Sequence, residues 1–223
     1  MRSRLMSLYA ELDRKLRTRN WKEEWPGETP YEIAVGAILT QNTNWGNAEK
    51  AIANLKKAGV LEEKAMLGTR NAKLEMLIRP SGFYRQKAPR LKFMTRAWMK
   101  VKAMDARPGS SGRSPGETVA ETSATGTGDA KLSGMRRLLL ETHGIGEETA
   151  DSILLYALGK PVFVIDAYTR RFCRKFLGKA WKNYGDYQKF FEANLRRDAR
   201  LYKRYHALIV EWGKAKKGRK GRK

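Results

Sequence analysis

Cysteine is almost absent: Cys173 is the sole thiol in 223 residues. One thiol forms no intrachain disulfide, and it cannot supply the four cysteines of a structural zinc site or an iron–sulfur cluster. A reduced intracellular compartment suits that usage. Long apolar runs are missing too. No stretch reaches 18 apolar residues, so no membrane-spanning helix is expected. The opening MRSRLMSLYAELDRKLRTRN lacks the uninterrupted apolar stretch of a secretory signal, so none is expected. Acidic residues are scarce beside basic ones: 23 Asp and Glu face 46 Lys and Arg, for a formal net charge of +23. With a pI near 10.3, the chain calls for a polyanionic partner, nucleic acid or an anionic membrane surface. Strand-type alternation of any length is lacking, and so are internal repeats.

What is present is helical. Apolar residues make up 41% of the chain, enough to bury a core in one large domain or two small ones. Leu5, Leu8, Leu12 and Leu16 fall on one face at spacings of three and four, predicting a helix over 2–19. Trp25-Pro26-Gly27 breaks the pattern. Thr29-Pro30 then opens a second helix, with Thr as a good N-cap and Pro as a good first residue. It carries Ile33, Ala34, Ala37 and Ile38 and ends in the polar stretch Thr40-Gln41-Asn42-Thr43-Asn44. Further helices are predicted at about 45–58, 84–103, 147–159, 167–177, 184–196 and 199–214, with short pieces up to Ile78 and another through Met135, Leu138 and Leu139. Between Asp105 and Asp129 the chain has no aromatic, Leu, Ile or Met, only a run dominated by Gly, Ser, Thr and Pro. That stretch, about 105–130, reads as a flexible surface insertion. The tail from Lys214 holds seven basic residues in ten. The fold class is therefore all-α.

The segment LLLETHGIGEETADSILLYA, Leu138 to Ala157, reads as helix, tight Gly-x-Gly turn, helix. Glycines at 144 and 146 let such a turn take positive φ and expose backbone N–H groups. With the following helix N-terminus, those donors form an anion site suited to a DNA phosphate. Twenty residues after Gly146 the apolar run of VFVIDAYTRR delivers Asp166 to a helix start. There the chain resembles the helix-hairpin-helix-Gly/Pro-Asp superfamily of DNA glycosylases, the endonuclease III relatives. AVGAILTQNTNW, RPSGFYRQKAPRL, HGIGEETAD and VIDAYTRR carry the likeness, which covers nearly everything outside the insertion and the tail. Two departures narrow the branch. The C-terminal stretch RLYKRYHALIVEWGKAKKG has no cysteine where endonuclease III-type members carry a four-cysteine cluster, and Glu148 stands where bifunctional members carry a lysine. WPGETPYEIAVGAILTQNTNW and IRPSGFYRQKA look most like the 3-methyladenine DNA glycosylase III branch.

The resemblance implies two helical domains. One is a six-helix module over 26–160 with the helix-hairpin-helix; the other joins 1–25 to 161–223. It implies a monofunctional DNA glycosylase that hydrolyses the N-glycosidic bond of alkylated, 3-methyladenine-like purines in base-excision repair. No cofactor, metal or iron–sulfur cluster is expected. The partner is double-stranded DNA containing a damaged base, not a membrane, and a monomeric prokaryotic cytoplasmic protein held at the nucleoid by DNA is expected. An endonuclease III-like glycosylase and lyase for another lesion, or a non-catalytic helix-hairpin-helix DNA-binding protein, are the rival readings. Asp166 is the expected catalytic residue. A helix-start Asp is commonly an N-cap; the functional alternative is that it stabilises the sugar oxocarbenium. Trp25, Pro26 and Trp45 occupy the family's base-pocket segments, and Lys214 is a further candidate for the pocket. Gln41 and Phe83 match positions that fill the gap left by an everted nucleotide. His143, Gly144, Gly146 and Arg170 are expected to contact DNA. Glu211 and His206 read as structural or surface residues.

Overall fold

The computed structural model describes residues 1–16, 25–106 and 124–220, without the side chains of 124–127 and 216–220. The described residues are helices joined by turns: α1 (Arg2–Leu16), α2 (Pro30–Leu39), α3 (Trp45–Lys57), α4 (Glu63–Gly68), α5 (Asn71–Leu77), a 3-10 turn (Arg79–Ser81), α6 (Tyr84–Ala106), α7 (Ala124–Leu140), α8 (Glu147–Ser152), α9 (Ala167–Phe172), α10 (Tyr184–Asn194) and α11 (Ala199–Lys220). Both α8 and α9 run on into a π turn, Ile153–Ala157 and Cys173–Leu177. No strand occurs among the described residues, and the all-α expectation holds.

The chain divides into two compact units: a terminal unit of Met1–Ile33 with Glu147–Lys223, and an inner unit of Ala34–Gly146. The division falls elsewhere than at the expected residues 26 and 160. Residues 26–33 and 147–160 go with the terminal unit because of what they pack on. Leu155 and Tyr156 are buried in one cluster with Phe163, Phe172, Phe191, Tyr205 and Leu208, and Trp25 and Ile33 lie against it. Within the terminal unit α1 and α9 pack on α11. The leucine stripe of α1 behaves as its spacing predicts: Leu5, Leu12 and Leu16 are buried, and Tyr205 Oη donates to the Leu5 carbonyl at 2.8 Å.

The inner unit is built around α6. Its buried face, Ala88, Leu91, Met94, Thr95, Ala97, Trp98 and Val101, follows the three-and-four spacing of an amphipathic helix, and α4, α5 and α7 pack on it. Asn44 caps α3 by accepting from the Asn47 amide at 3.0 Å. Lys131 on α7 donates to the Asp105 carbonyl on α6 at 2.8 Å. The flexible insertion expected at 105–130 overlaps described helix at both ends. Asp105 lies in α6 and residues from Ala124 lie in α7; the remainder falls outside the described residues. The predicted first helix is described through Leu16, and its last three expected residues lie outside the described ones. The basic tail begins as helix, since α11 continues through Lys220 rather than stopping at 214.

Candidate functional site

The stretch Val162–Ile165 is buried throughout and belongs to no helix, with no neighbouring strand among the described residues to satisfy it. Side chains do so instead. The Phe163 amide donates to Glu192 Oε1 at 2.9 Å, the Ile165 amide to Tyr184 Oη at 3.1 Å, and Gln188 Nε2 donates to the Phe163 carbonyl at 2.9 Å. A polar backbone buried without such partners would cost several kcal/mol. The run therefore fixes where Asp166 emerges.

Asp166 caps α9. Its Oδ1 accepts from the Thr169 amide at 2.7 Å, so the bland reading of a helix-start aspartate is correct as far as that oxygen goes. Oδ2 is the other half of the story: it lies 3.7 Å from His206 Nε2, and the Asp166 side chain keeps 13% exposure. Burial alone would raise this carboxyl. The His206 charge and the Thr169 amide outweigh it and hold Asp166 below the ordinary carboxylate range. Glu148, in the first turn of α8, is pushed the other way, by desolvation first and then by the Asp166 charge. Two carboxyls near one another are thus driven apart in acidity, and Asp166 is the one kept ionised.

His206 sits on α11 at 5% exposure. Its Nδ1 is 2.6 Å from Tyr156 Oη, and Tyr156 lies in the π turn after α8. The Tyr156 ring in turn faces Trp25, centroids 5.3 Å apart and tilted 54°. From the sequence, His206 reads as a structural or surface residue with no part in the site. Its spacing holds a signal, since Tyr202, Tyr205, His206 and Ile209 fall at i, i+3, i+4 and i+7 and all four are buried. A histidine on that face is a core residue with a titratable ring.

The other candidates of the terminal unit are less committed. Trp25 and Pro26 are half-buried. The Arg170 guanidinium lies over the Tyr187 ring, 4.9 Å from its centroid. Lys214 is exposed and pairs with Glu211 one turn back, Nζ to Oε1 2.6 Å.

In the inner unit Gln41 is held at both ends of its amide. Nε2 donates to the Gly144 carbonyl at 2.9 Å, and Oε1 accepts from Arg90 Nη1 at 3.1 Å. Phe83 is 58% exposed, an unusual setting for a large apolar ring. Asn42 and Phe83, with φ of 52° and 47°, are the non-glycine residues of positive φ among those described. Such backbone conformations cost free energy and gather at functional loops. Lys87 ties the two loops together. At 1% exposure, its Nζ donates to the Leu39 carbonyl just before Gln41 and to the Ser81 carbonyl just before Phe83, both at 2.8 Å. Burial, then the Arg90 charge, brings the Lys87 ammonium down to about 8. No sequence pattern marks it, because both of its partners are backbone atoms. Trp45 is half-buried at the start of α3. His143 is exposed, its ring edge-on to Phe93 at 5.9 Å.

The hairpin glycines differ, against the expectation that both need positive φ. Gly144 has φ of +84°, and a Cβ there would meet Arg90 Cγ at 2.5 Å. Gly146 is outside the positive-φ region, and a Cβ there would meet nothing within 4 Å. The tight part of the turn is Gly144 alone, closed by the Ile145 amide on the Thr142 carbonyl at 3.0 Å.

Comparison with known proteins identifies the family. A family model described as HhH-GPD superfamily base excision DNA repair protein matches residues 35–197. The chain is 45% identical over 194 residues to "Putative DNA repair glycosylase MJ1434" of Methanocaldococcus jannaschii, covering 86% of this chain and 79% of that one. The H. pylori 3-methyladenine DNA glycosylase MagIII, solved with 1,N6-ethenoadenine bound, superposes with a TM-score of 0.73 at 30% identity, covering 95% of this chain and 98% of that one. A non-covalent endonuclease III–DNA complex superposes with a TM-score of 0.68 at 15% identity, over 94% of this chain and 84% of that one, a likeness of fold alone.

Proposed function

The chain belongs to the HhH-GPD superfamily of base excision DNA repair proteins and is a DNA glycosylase; from that premise we propose that it is monofunctional and hydrolyses the N-glycosidic bond of alkylated purines of the 3-methyladenine kind in duplex DNA. The observation that carries the reading is the pair of carboxyls. Asp166 is kept ionised at the mouth of a buried run, and the hairpin-following helix offers Glu148, not an amine. A lysine at that point would attack the sugar and form a Schiff base; a carboxylate cannot. Asp166 then stabilises the positive charge that grows on the sugar as the base departs.

An alkylated purine carries its own positive charge, leaves readily and lessens the need for a general acid. Aromatic faces attract such a cation by ~0.5–2 kcal/mol, a role that suits Trp25 and Trp45, with Pro26 next to the former in sequence. The 30% identity to a protein named as a 3-methyladenine glycosylase, spanning 98% of its length, supports this substrate class. Gln41 and Phe83 enter the duplex where the base has left, and Gly144, Gly146, His143 and Arg170 contact the backbone. Lys214 is assigned to the pocket once released from Glu211. No cofactor is needed for this hydrolysis, and the sole cysteine, Cys173, is buried with its thiol pushed up to about 12 by desolvation.

The test is excision from defined duplexes holding 3-methyladenine, 7-methylguanine, hypoxanthine, uracil or thymine glycol, each read with and without later cleavage of the abasic site. Excision of the alkylated purines without strand scission is expected. Preference for thymine glycol, or borohydride trapping of the protein on abasic DNA, would overturn the proposal.

A further inference from the structure

We infer that His206 is a positioning residue for Asp166, held by Tyr156 in the one tautomer that presents an N–H to the carboxylate. The inference rests on the reading of Asp166 as the catalytic carboxylate. His206 Nδ1 lies 2.6 Å from Tyr156 Oη. Nε2 is buried with no hydrogen-bond partner and lies 3.7 Å from Asp166 Oδ2. That is too far for a hydrogen bond and close enough for a strong electrostatic contact. Burial pushes the Tyr156 phenol far above its usual range, so the hydroxyl keeps its proton.

A neutral imidazole has one N–H and one lone pair. If Tyr156 donates its hydroxyl hydrogen to Nδ1, the ring proton must sit on Nε2, facing Asp166. The reverse arrangement would aim a lone pair at a carboxylate in a desolvated site, two acceptors facing each other. In the imidazolium both nitrogens carry protons: Nδ1–H donates to the Tyr156 oxygen and Nε2–H again faces Oδ2. Either charge state therefore turns a positive edge toward the oxygen that α9 leaves unbound. His206 cannot take a proton on that side. It supports the negative charge of Asp166 and restrains where Oδ2 points. The other charged groups around this set are Glu148 on α8 and Arg170 on α9, and the Lys203 ammonium on α11, which donates to the Tyr156 carbonyl at 3.3 Å.

The chain has two histidines, which makes the test clean. Ring nitrogen-15 shifts should show two imidazoles, and the set lost in His206→Gln identifies His206. Its neutral form should be the Nε2–H tautomer in the intact protein. The second arm is single-turnover excision on whichever lesion the intact protein removes best, with duplex affinity measured alongside. His206→Ala should slow excision roughly 10–100-fold at saturating enzyme, at or below the ~100–1,000-fold scale of removing one preorganised electrostatic group that touches the reacting atoms, and leave affinity unchanged. His206→Gln restores an N–H near the same place and should recover most of that loss. An Nδ1–H tautomer, or an unaltered excision rate in His206→Ala, overturns the inference. If His206→Ala does not fold, the tautomer and the Gln variant decide: a rate for His206→Gln no better than that of Asp166→Asn also overturns it. Wild-type excision by Asp166→Asn would instead remove Asp166 from the chemistry, a separate failure that the tautomer measurement does not touch.

Discussion

The two units solve the burial problem with different materials. The terminal unit is packed with rings: Phe163 stacks on Phe191 at 4.1 Å and 3°, Tyr202 and Tyr205 meet that pair edge-on, and Phe172 meets Tyr205 edge-on. The inner unit buries mainly Ala, Val, Ile, Leu and Met, with Trp98 as its large ring on α6. Aromatic hydroxyls give the first core directional bonds. Tyr184 receives the Ile165 amide, Tyr187 receives the Trp181 amide, Tyr205 reaches Leu5, and Tyr156 meets His206. Each such bond fixes an angle as well as filling volume. The aliphatic unit fixes its loops otherwise, with the buried Lys87 ammonium, the Gln41 amide and the positive-φ glycines Gly59, Gly82 and Gly144. A carboxylate that must hold its orientation suits the ring-and-hydroxyl core. The Gln41 and Phe83 loops, proposed above to enter the duplex, belong to the aliphatic unit.

Substitutions can break that contrast. The largest effect expected is on stability: Phe191→Ala removes a fully buried ring from the stack and should cost ~3–5 kcal/mol by denaturant unfolding. A loss under ~1 kcal/mol, below the range for such truncations, would show the rings to be ordinary filler. Asp166→Asn should lower single-turnover excision at least ~100-fold, about 2.7 kcal/mol, with duplex affinity retained; the acid limb of wild-type activity should lie below the ordinary carboxylate range. Lys87 should announce itself through pH. The folded protein releases that proton at about 8 and the unfolded chain only near 10.5. Between those values the unfolded state holds more protons, so unfolding free energy should rise with pH relative to Lys87→Met, by up to ~2–3 kcal/mol. A flat difference between the two proteins from about pH 7.5 to 10 would contradict the buried ammonium. The smallest effect separates the glycines. Gly144→Val, forced into positive φ and against Arg90, should weaken binding to damaged and undamaged duplex roughly 10-fold, while Gly146→Val, free of both strains, should weaken it less. Equal losses at both would restore the symmetric hairpin that the sequence suggests.

Local signals carry the fold a long way. The leucines of α1, the Thr29-Pro30 start and the turn at Gly144 all act over a few residues, and each appears where its pattern places it. Asp166 is legible for the same reason, as a helix-start carboxylate within a motif. What stays hidden acts at long range. His206 meets Tyr156 and Asp166 from 50 and 40 residues away in sequence, and Lys87 reaches the Leu39 carbonyl across 48. The domain boundary moves because Tyr156 is apolar enough to read as part of a hairpin helix, yet its hydroxyl bonds α11. The Gly146 expectation fails because a Gly-x-Gly pattern does not say which of its glycines bends.

The π turn after α8 makes chain length itself a constraint. There the Leu158 amide reaches back five residues to the Ile153 carbonyl at 3.2 Å, and Lys160 reaches six, to Leu154 at 2.9 Å. A π turn is an α-helical turn that has taken in an extra residue. Removing one residue between Ser152 and Tyr156 would let the turn relax to the α form and swing everything beyond it by roughly 100° about the helix axis. Tyr156 would then face away from His206. Exchanging Ile153 or Leu154 for another aliphatic residue would keep the count, and with it the phase. In this segment a deletion should therefore do more harm than most substitutions, because the count of residues before Tyr156 sets the direction of its hydroxyl.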